Sequence, residues 1–452
     1  MNTNANDIVE LLTQVGGNSK VVLHHHDYSD YVNVEIGSRS EPVALSGDDG
    51  AKLASGAKTA LDHGIPLICH LNSTGAPPDS GVEALHGWGL AAKQLTKCSG
   101  VVPTIICVHQ TAVAGSALLL GLVDLVIMVD QSYAYVSGPR MVQEFTGVPV
   151  DHGTLGGSGK HAQTSGVASF VVSDEMEAED LLEDILTLLP RNSACTPQPI
   201  STGDATDRKL AGIEKIIPEL TTGSYDVRDI LRETFDDGHI TEVRKEWATN
   251  LVTAFATIGG NTVGVVANQP QSLAGTLDIA ASQKGARFVS FCDAFNLPII
   301  TFVDTPGFQP GKDLEWRGMI RHGAQLAFAY AQATVPRICV TLRKSYGGAY
   351  IVMDSKYMGN DLSLAWPSAE IAVMGAKGAV EILHRNVETD ERESLEADYE
   401  NRLLNPYIAA ERGSVDMIIE PAETRSKVFA SLQPLLSKRE KLQRRIHSNT
   451  PL

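Results

Sequence analysis

Asn296-Leu-Pro-Ile-Ile-Thr-Phe-Val-Asp-Thr-Pro-Gly307 has a counterpart early in the chain, Gly64-Ile-Pro-Leu-Ile-Cys-His-Leu-Asn-Ser-Thr-Gly75. Each is a short apolar run after an x-Pro, ending in a turn with Thr and Gly. That pattern predicts a buried strand entering a loop. In both halves an Ala-rich helical stretch follows, and then a second x-Pro strand, Val102-Pro-Thr-Ile-Ile-Cys-Val108 or Val335-Pro-Arg-Ile-Cys-Val340. Both second strands lead to a turn of small residues, Ala114-Gly-Ser116 and Gly347-Gly-Ala349. The spacings agree: Pro66 to Pro103 is 37 residues and Pro298 to Pro336 is 38, while each second proline stands 12 before Gly115 or Gly348. A period of about 232 residues predicts duplicated domains, not a solenoid.

Each half also opens with a hairpin-like pair. Leu251–Ile258 and Thr262–Ala267 flank Gly259-Gly-Asn261, and Lys20–Leu23 and Tyr31–Ile36 are the weaker pair in the first half. Between the halves, Leu189–Ile200 is rich in Pro, Ser and Asn and lacks periodicity, as a linker should. The expected division is therefore residues 1–190, a linker over 191–215, and residues 216–452. The basic run Ser437–Ile446 reads as a solvated helix end or a subunit contact.

The chain has 452 residues, 43% hydrophobic and 20% charged, which is a globular composition. With 37 basic and 54 acidic residues its net charge is −17, which argues against nucleic acid or an anionic membrane as a partner. Its N-terminus lacks the basic and apolar regions of a signal peptide, and its longest apolar stretch, Ala112–Val129, is broken by Gly, Ser and Asp. A cytoplasmic protein is expected. The six cysteines form no CxxC pair and read as reduced, buried thiols. His24-His-His26 is not read as a metal site, because successive strand residues point to opposite faces.

Arg343-Lys-Ser-Tyr-Gly-Gly-Ala-Tyr350 reads as a strand end, a turn eased by two glycines, and a helix start. Free N–H groups at such a start can donate to an oxygen that gains negative charge. Gly115 occupies the same place in the first half. Two matched turns of this kind suggest a reaction with two carbonyl-like partners. No G-x-S-x-G elbow and no phosphate-binding G-x-x-x-x-G-K-[ST] loop occurs. Arg321 and His322, on a predicted helix, take a surface or core role, or else contact a ligand phosphate or carboxylate.

Asp304–Gly311, Ile320–Ala324, Arg343–Tyr350 and Ala365-Trp-Pro-Ser-Ala-Glu-Ile-Ala-Val-Met-Gly375 together resemble the carboxyltransferase (beta) subunits of biotin-dependent acyl-CoA carboxylases, of the propionyl-CoA carboxylase kind. Asn405–Gly413, Pro421–Arg425, Val266–Pro270 and Ala286–Asp293 extend the match, as do Val136–Pro139 and Gly156–Val172 in the first half. The resemblance implies an α/β chain of two tandem crotonase-type ββα-superhelix domains, with the first on the thioester side and the second on the biotin side. The implied reaction moves a carboxyl group between N1 of carboxybiotin and the alpha carbon of an acyl thioester. Biotin freed of its carboxyl group can then take the alpha proton.

Carried onto this chain, Gly348 and Ala349 would hold the biotin ureido oxygen, and Gly115 and Ser116 the thioester oxygen. Tyr346, Gly347, Ala114 and Ile351 would line the ligand sites. Propionyl-type relatives often carry Asp where this chain has Ile351. Family active sites form between the first domain of one subunit and the second of another, usually in hexamers. No Ala/Val-Met-Lys-Met biotinyl motif occurs, so biotin is expected on a separate chain, the biotin carboxyl carrier or biotin carboxylase subunit.

Several departures from the family pattern stand out. The sequence is shorter than the family pattern, and no counterpart of the family's N-terminal arm is expected within it. The loop after the first strand is Ser73-Thr-Gly-Ala-Pro-Pro78, and a Gly-rich loop that serves the thioester carrier is reduced to Ser46-Gly-Asp-Asp-Gly50. The acyl carrier is therefore coenzyme A or a carrier protein. The alternatives are a biotin-dependent decarboxylase of a malonyl-type thioester, a degenerate non-catalytic subunit, and a hydratase-like enzyme. The last is disfavoured because the Gly115 turn lacks carboxylates.

Overall fold

The computed structural model describes residues 19–27, 29–218, 220, 222–440, 442–443 and 446–451. The sequence readings at the extreme N-terminus, and at Lys441, Arg444 and Arg445 of the basic run, lie outside these residues. The chain forms two compact units. One contains the described residues up to Gln198 with Arg244–Trp247 and Ala294–Asn296; the other contains the rest.

In the first unit the strands are β1 (Ser19–His24), β2 (Tyr31–Ile36), β3 (Val43–Ala44), β4 (Leu67–Gly75), β5 (Thr104–Val113), β6 (Leu125–Val129), β7 (Tyr133–Tyr135) and β8 (Phe170–Val172). Their order is β1-β2-β4-β5-β6-β8, with β3 on β4 and β7 on β5. The second unit holds β9 (Ile240–Glu242), β10 (Leu251–Ile258), β11 (Asn261–Asn268), β12 (Ile299–Thr305), β13 (Arg337–Tyr346), β14 (Leu362–Ala365), β15 (Glu370–Ala372) and β16 (Met417–Ile418). Their order is β16-β14-β13-β12-β11-β10-β9, with β15 on β13.

In both units an antiparallel hairpin opens the sheet and parallel strands complete it. The x-Pro strands β4 and β12 are buried almost throughout, which explains their continuous apolar reading. Helices cover the sheets. In the first unit, Gly47–His63 and Val82–Cys98 approach so closely that a Cβ on Gly50 would lie 2.2 Å from the Gly87 carbonyl carbon. In the second, Gly285 of Ile279–Ala294 packs against Leu326 of Met319–Gln332.

Four local readings change. Ser46–Gly50 is not a loop: Ser46 caps the helix that starts at Gly47, with Asp49 completing a capping box. Cys195 is exposed, while the other five cysteines are buried. The regular helix before the basic run ends at Leu432, and no described residue after the 3-10 turn Gln433–Leu435 is helical. Strand β9 was not foreseen. Among the described residues no helix is long and apolar enough to cross a membrane, and no group of three metal-ligating side chains converges.

Candidate functional site

Each long central strand ends in a tight turn. After β5, Ala114 adopts φ 57°, ψ −120° and the helix Gly115–Leu119 begins; after β13, Gly347 adopts φ 59° and opens the helix Gly347–Val352. The positive φ lets the chain reverse from strand to helix within one residue. Gly347 does so without strain. Ala114 does so with its Cβ in a conformation that costs on the order of 1–3 kcal/mol. In both turns the N–H groups of the first helical positions have no carbonyl four residues back to bond within the helix. The flanking bonds fix the first turn: the Ala114 N–H donates to the Tyr135 carbonyl over 2.9 Å, and Ser116 Oγ donates to the Val113 carbonyl over 2.8 Å.

All eight residues named from the sequence fall in these two turns. Ala114, Gly115 and Ser116 form the first, with Ser116 buried; Tyr346, Gly347, Gly348, Ala349 and Ile351 form the second, with Ala349 buried. Gly347, Gly348 and Ile351 line a cleft of about 490 Å3 together with Ile371, Val373 and Ile408. Gly348 and Ile351 also line a neighbouring cleft with Phe308, Met319 and Ile320. A Cβ on Gly348 would meet only the Phe308 ring within 4 Å, so the backbone there is open to a ligand. Ile351 is 38% exposed and stands between the clefts. The Tyr346 side chain is turned away: it donates to Glu370 and packs with Ala376 and Leu404. Burial and the Glu370 carboxylate push its phenol well above the ordinary value.

Sequence reasoning missed the groups behind the turns. The Trp88 indole lies against Gly115, and the Phe308 ring against Gly348. Trp88 stands between two glycines, Gly87 and Gly89, and Phe308 follows Gly307; these were the available signals. Within β4 and β5, His70 Nδ1 and His109 Nε2 are 2.9 Å apart. Burial first, then the neighbouring His109, lowers His70 to about 3. Burial first, then Arg39, lowers His109 to about 4. His109 Nδ1 also lies 2.5 Å from Glu175 Oε2. Arg39 contacts both Glu175 and Glu179. In the second unit, Asp304 accepts from Tyr225 and Arg343, all three buried.

A duplicated hairpin-plus-parallel sheet, with a strand-to-helix turn after the same strand of each repeat, is consistent with the crotonase-like fold of acyl-CoA carboxyltransferases. Residues 43–450 match the carboxyl transferase domain family, and the chain belongs to it. The chain is 44% identical, over 87% of its length and 78% of the relative's, to a propionyl-CoA carboxylase carboxyltransferase subunit from Haloferax mediterranei. It is also 40% identical, over 93% of its length and 81% of the relative's, to a methylmalonyl-CoA decarboxylase subunit alpha from Veillonella parvula. Among solved structures it resembles transcarboxylase 12S, described as a hexamer with hydrolysed methylmalonyl-coenzyme A bound. That likeness has TM-score 0.92 and 36% identity, over 96% of this chain and 85% of the other. The protein is thus an enzyme of biotin-dependent carboxyl transfer.

Proposed function

We propose that this chain moves a carboxyl group between carboxybiotin, delivered on a separate carrier chain, and the alpha carbon of an acyl-CoA. The observation that supports the reading is the pair of matched turns, one per repeat, each opening a helix whose first N–H groups have no intrahelical partner. Carboxybiotin, when bound, supplies the carboxyl group, and the biotin left behind supplies a base for the alpha proton. Gly348 and Ala349 donate N–H groups to the ureido oxygen. Gly115 and Ser116 donate to the thioester oxygen, which gains negative charge as the alpha proton leaves. Such preorganised donors cost no reorganisation during reaction. Gly347 and Ala114 hold the turns open, and Ile351 lines the acyl pocket. Tyr346 serves through its backbone, since its side chain is committed to Glu370.

The residues fit biotin in one respect that the structure allows to be tested: a Cβ at Gly348 would project where only Phe308 is near, into an open cleft. We further propose residues 1–190 as the thioester domain, 216–452 as the biotin domain and 191–215 as the linker between them. The working assembly is a homo-oligomer, a hexamer in the first instance, acting with a biotin carboxyl carrier or biotin carboxylase partner in the cytoplasm. The same half-reactions run in reverse give a decarboxylase. The experiment is incubation of purified chain with a carboxylated biotin derivative and acetyl-, propionyl- or butyryl-CoA. The expected product is the alpha-carboxylated thioester, and its absence for every acceptor would overturn the reading. Sedimentation would overturn the assembly if a monomer were fully active.

A further inference from the structure

Both central strand pairs contain the same irregularity. Leu71 pairs with Val108 and Ser73 with Ala112; Val303 pairs with Thr341 and Thr305 with Ser345. In each case the one residue left between on the first strand, Asn72 or Asp304, faces three on the second. Such a bulge bends a strand and leaves ladder groups without a main-chain partner. Here a side chain takes that place. Asn72 Oδ1 accepts the Thr111 N–H over 3.3 Å, and Asp304 Oδ1 accepts the Lys344 N–H over 3.1 Å. Thr111 stands four residues before Gly115, and Lys344 four before Gly348.

We infer that Asn72 and Asp304 are positioning residues, each fixing through one backbone N–H the strand end that aims its own turn; this rests on the two-turn reading above. Both are held rigidly for the task. Asn72 is 1% exposed, and its Nδ2 donates to the Ser38 carbonyl over 2.9 Å and more weakly to that of Arg39 over 3.4 Å. Asp304 is 2% exposed, and its Oδ2 accepts from Tyr225 Oη over 2.8 Å and from Arg343 Nε over 3.0 Å. Its own N–H donates to Asn268 Oδ1 over 3.3 Å. The second repeat uses a carboxylate because a buried guanidinium stands beside it; the first has only carbonyls to satisfy and uses an amide.

The test compares Asn72→Ala with Asp304→Ala, the latter carried together with Arg343→Met so that no unpaired guanidinium is left buried. Hydrogen–deuterium exchange without ligands is expected to speed up over residues 111–119 in the first variant and over 344–352 in the second, each sparing the other turn. With free substrates, Asn72→Ala should raise KM for acyl-CoA on the order of tenfold and leave that for a biotin derivative unchanged; the Asp304 variant should do the reverse. Asp304→Asn/Arg343→Met, which keeps the Oδ1 acceptor and likewise leaves no unpaired guanidinium buried, should retain slow exchange over 344–352, and it serves as the folded comparison if the alanine double variant does not fold. Then fast exchange over 344–352 in Asp304→Asn/Arg343→Met, or both turns and both KM values responding together or not at all, would overturn the assignment. Failure of the two-turn reading is distinguishable, because it would show as wild-type transfer in turn variants whatever the exchange result.

Discussion

A methyl group added at the matched glycine of each turn is expected to act in opposite directions. On Gly115 it would lie 2.9 Å from Trp88 Cδ1 and 3.0 Å from Cγ, against an optimal carbon separation of about 3.5–4.0 Å. The indole cannot retreat with its helix. The preceding residue, Gly87, packs backbone to backbone on the neighbouring helix, where its own Cβ would be 2.7 Å from the Gly47 carbonyl oxygen. Either the indole leaves its rotamer or the turn shifts. Overpacking of this kind costs about 1–3 kcal/mol, or roughly 5 °C in the melting of a unit of this size. If the turn moves by much of an ångström, transfer falls on the order of 100-fold.

On Gly348 the methyl would lie 3.4 Å from Phe308 Cε2, an ordinary contact, and Gly→Ala in a helix gains about 0.5–1 kcal/mol. Gly348→Ala should therefore melt no lower than wild type. Thermal unfolding of both variants, with the transfer rate of Gly115→Ala and of Gly115→Ala/Trp88→Leu, tests this. The double variant should recover much of the lost stability. Equal destabilisation by the two alanines, or no recovery without the indole, would refute the reasoning.

Three further outcomes are expected. Ala114→Gly should raise stability by about 1 kcal/mol at retained activity, because φ 57°, ψ −120° suits glycine; lower stability in denaturant titration would count against strain at that residue. His70 and His109 are both lowered below the ordinary histidine value, so the fold favours their neutral forms. Their contribution is complete above about pH 6.5 and is lost as pH falls towards 4 and 3. His70→Phe/His109→Leu, which copies the apolar Phe302 and Leu342 at the corresponding places of the other repeat, should flatten stability across that interval; an unchanged acid limb would refute it. Ile351→Asp should alter the order of kcat/KM among acetyl-, propionyl- and butyryl-CoA, since each buried methylene against Ile351 contributes about 0.8 kcal/mol; an unchanged order would remove Ile351 from the acyl pocket.

The duplicated sheet was legible because parallel strands buried on both faces leave long apolar runs, and the x-Pro and small-residue turns recur at matching distances. The turns themselves were legible because small residues stand at matching distances after both x-Pro strands, although glycine takes the reversing conformation only at Gly347. Less legible was Ala114, which takes that conformation without being glycine. Asn72 and Asp304 escaped because their partners, Thr111 and Lys344, lie 39 and 40 residues away and the bond exists only once the strands pair. The His70–His109 contact is hidden for the same reason. Ser46-Gly-Asp-Asp-Gly50 was misread for its glycines, although Ser46 and Asp49 hold capping-box spacing. Strand β9 has three residues, too few for a period. Among the described residues of the basic run none is helical, and Lys438 pairs there with Asp361 and Glu440.

The most direct test of the two-turn account is carboxyl transfer from a carboxylated biotin derivative to propionyl-CoA by Gly348→Val, set beside its thermal unfolding. If the Gly348 and Ala349 N–H groups hold the ureido oxygen, the branched side chain occupies that place and transfer should fall on the order of 100- to 1000-fold in a protein that still folds. Transfer at the wild-type rate by the folded variant would contradict the account.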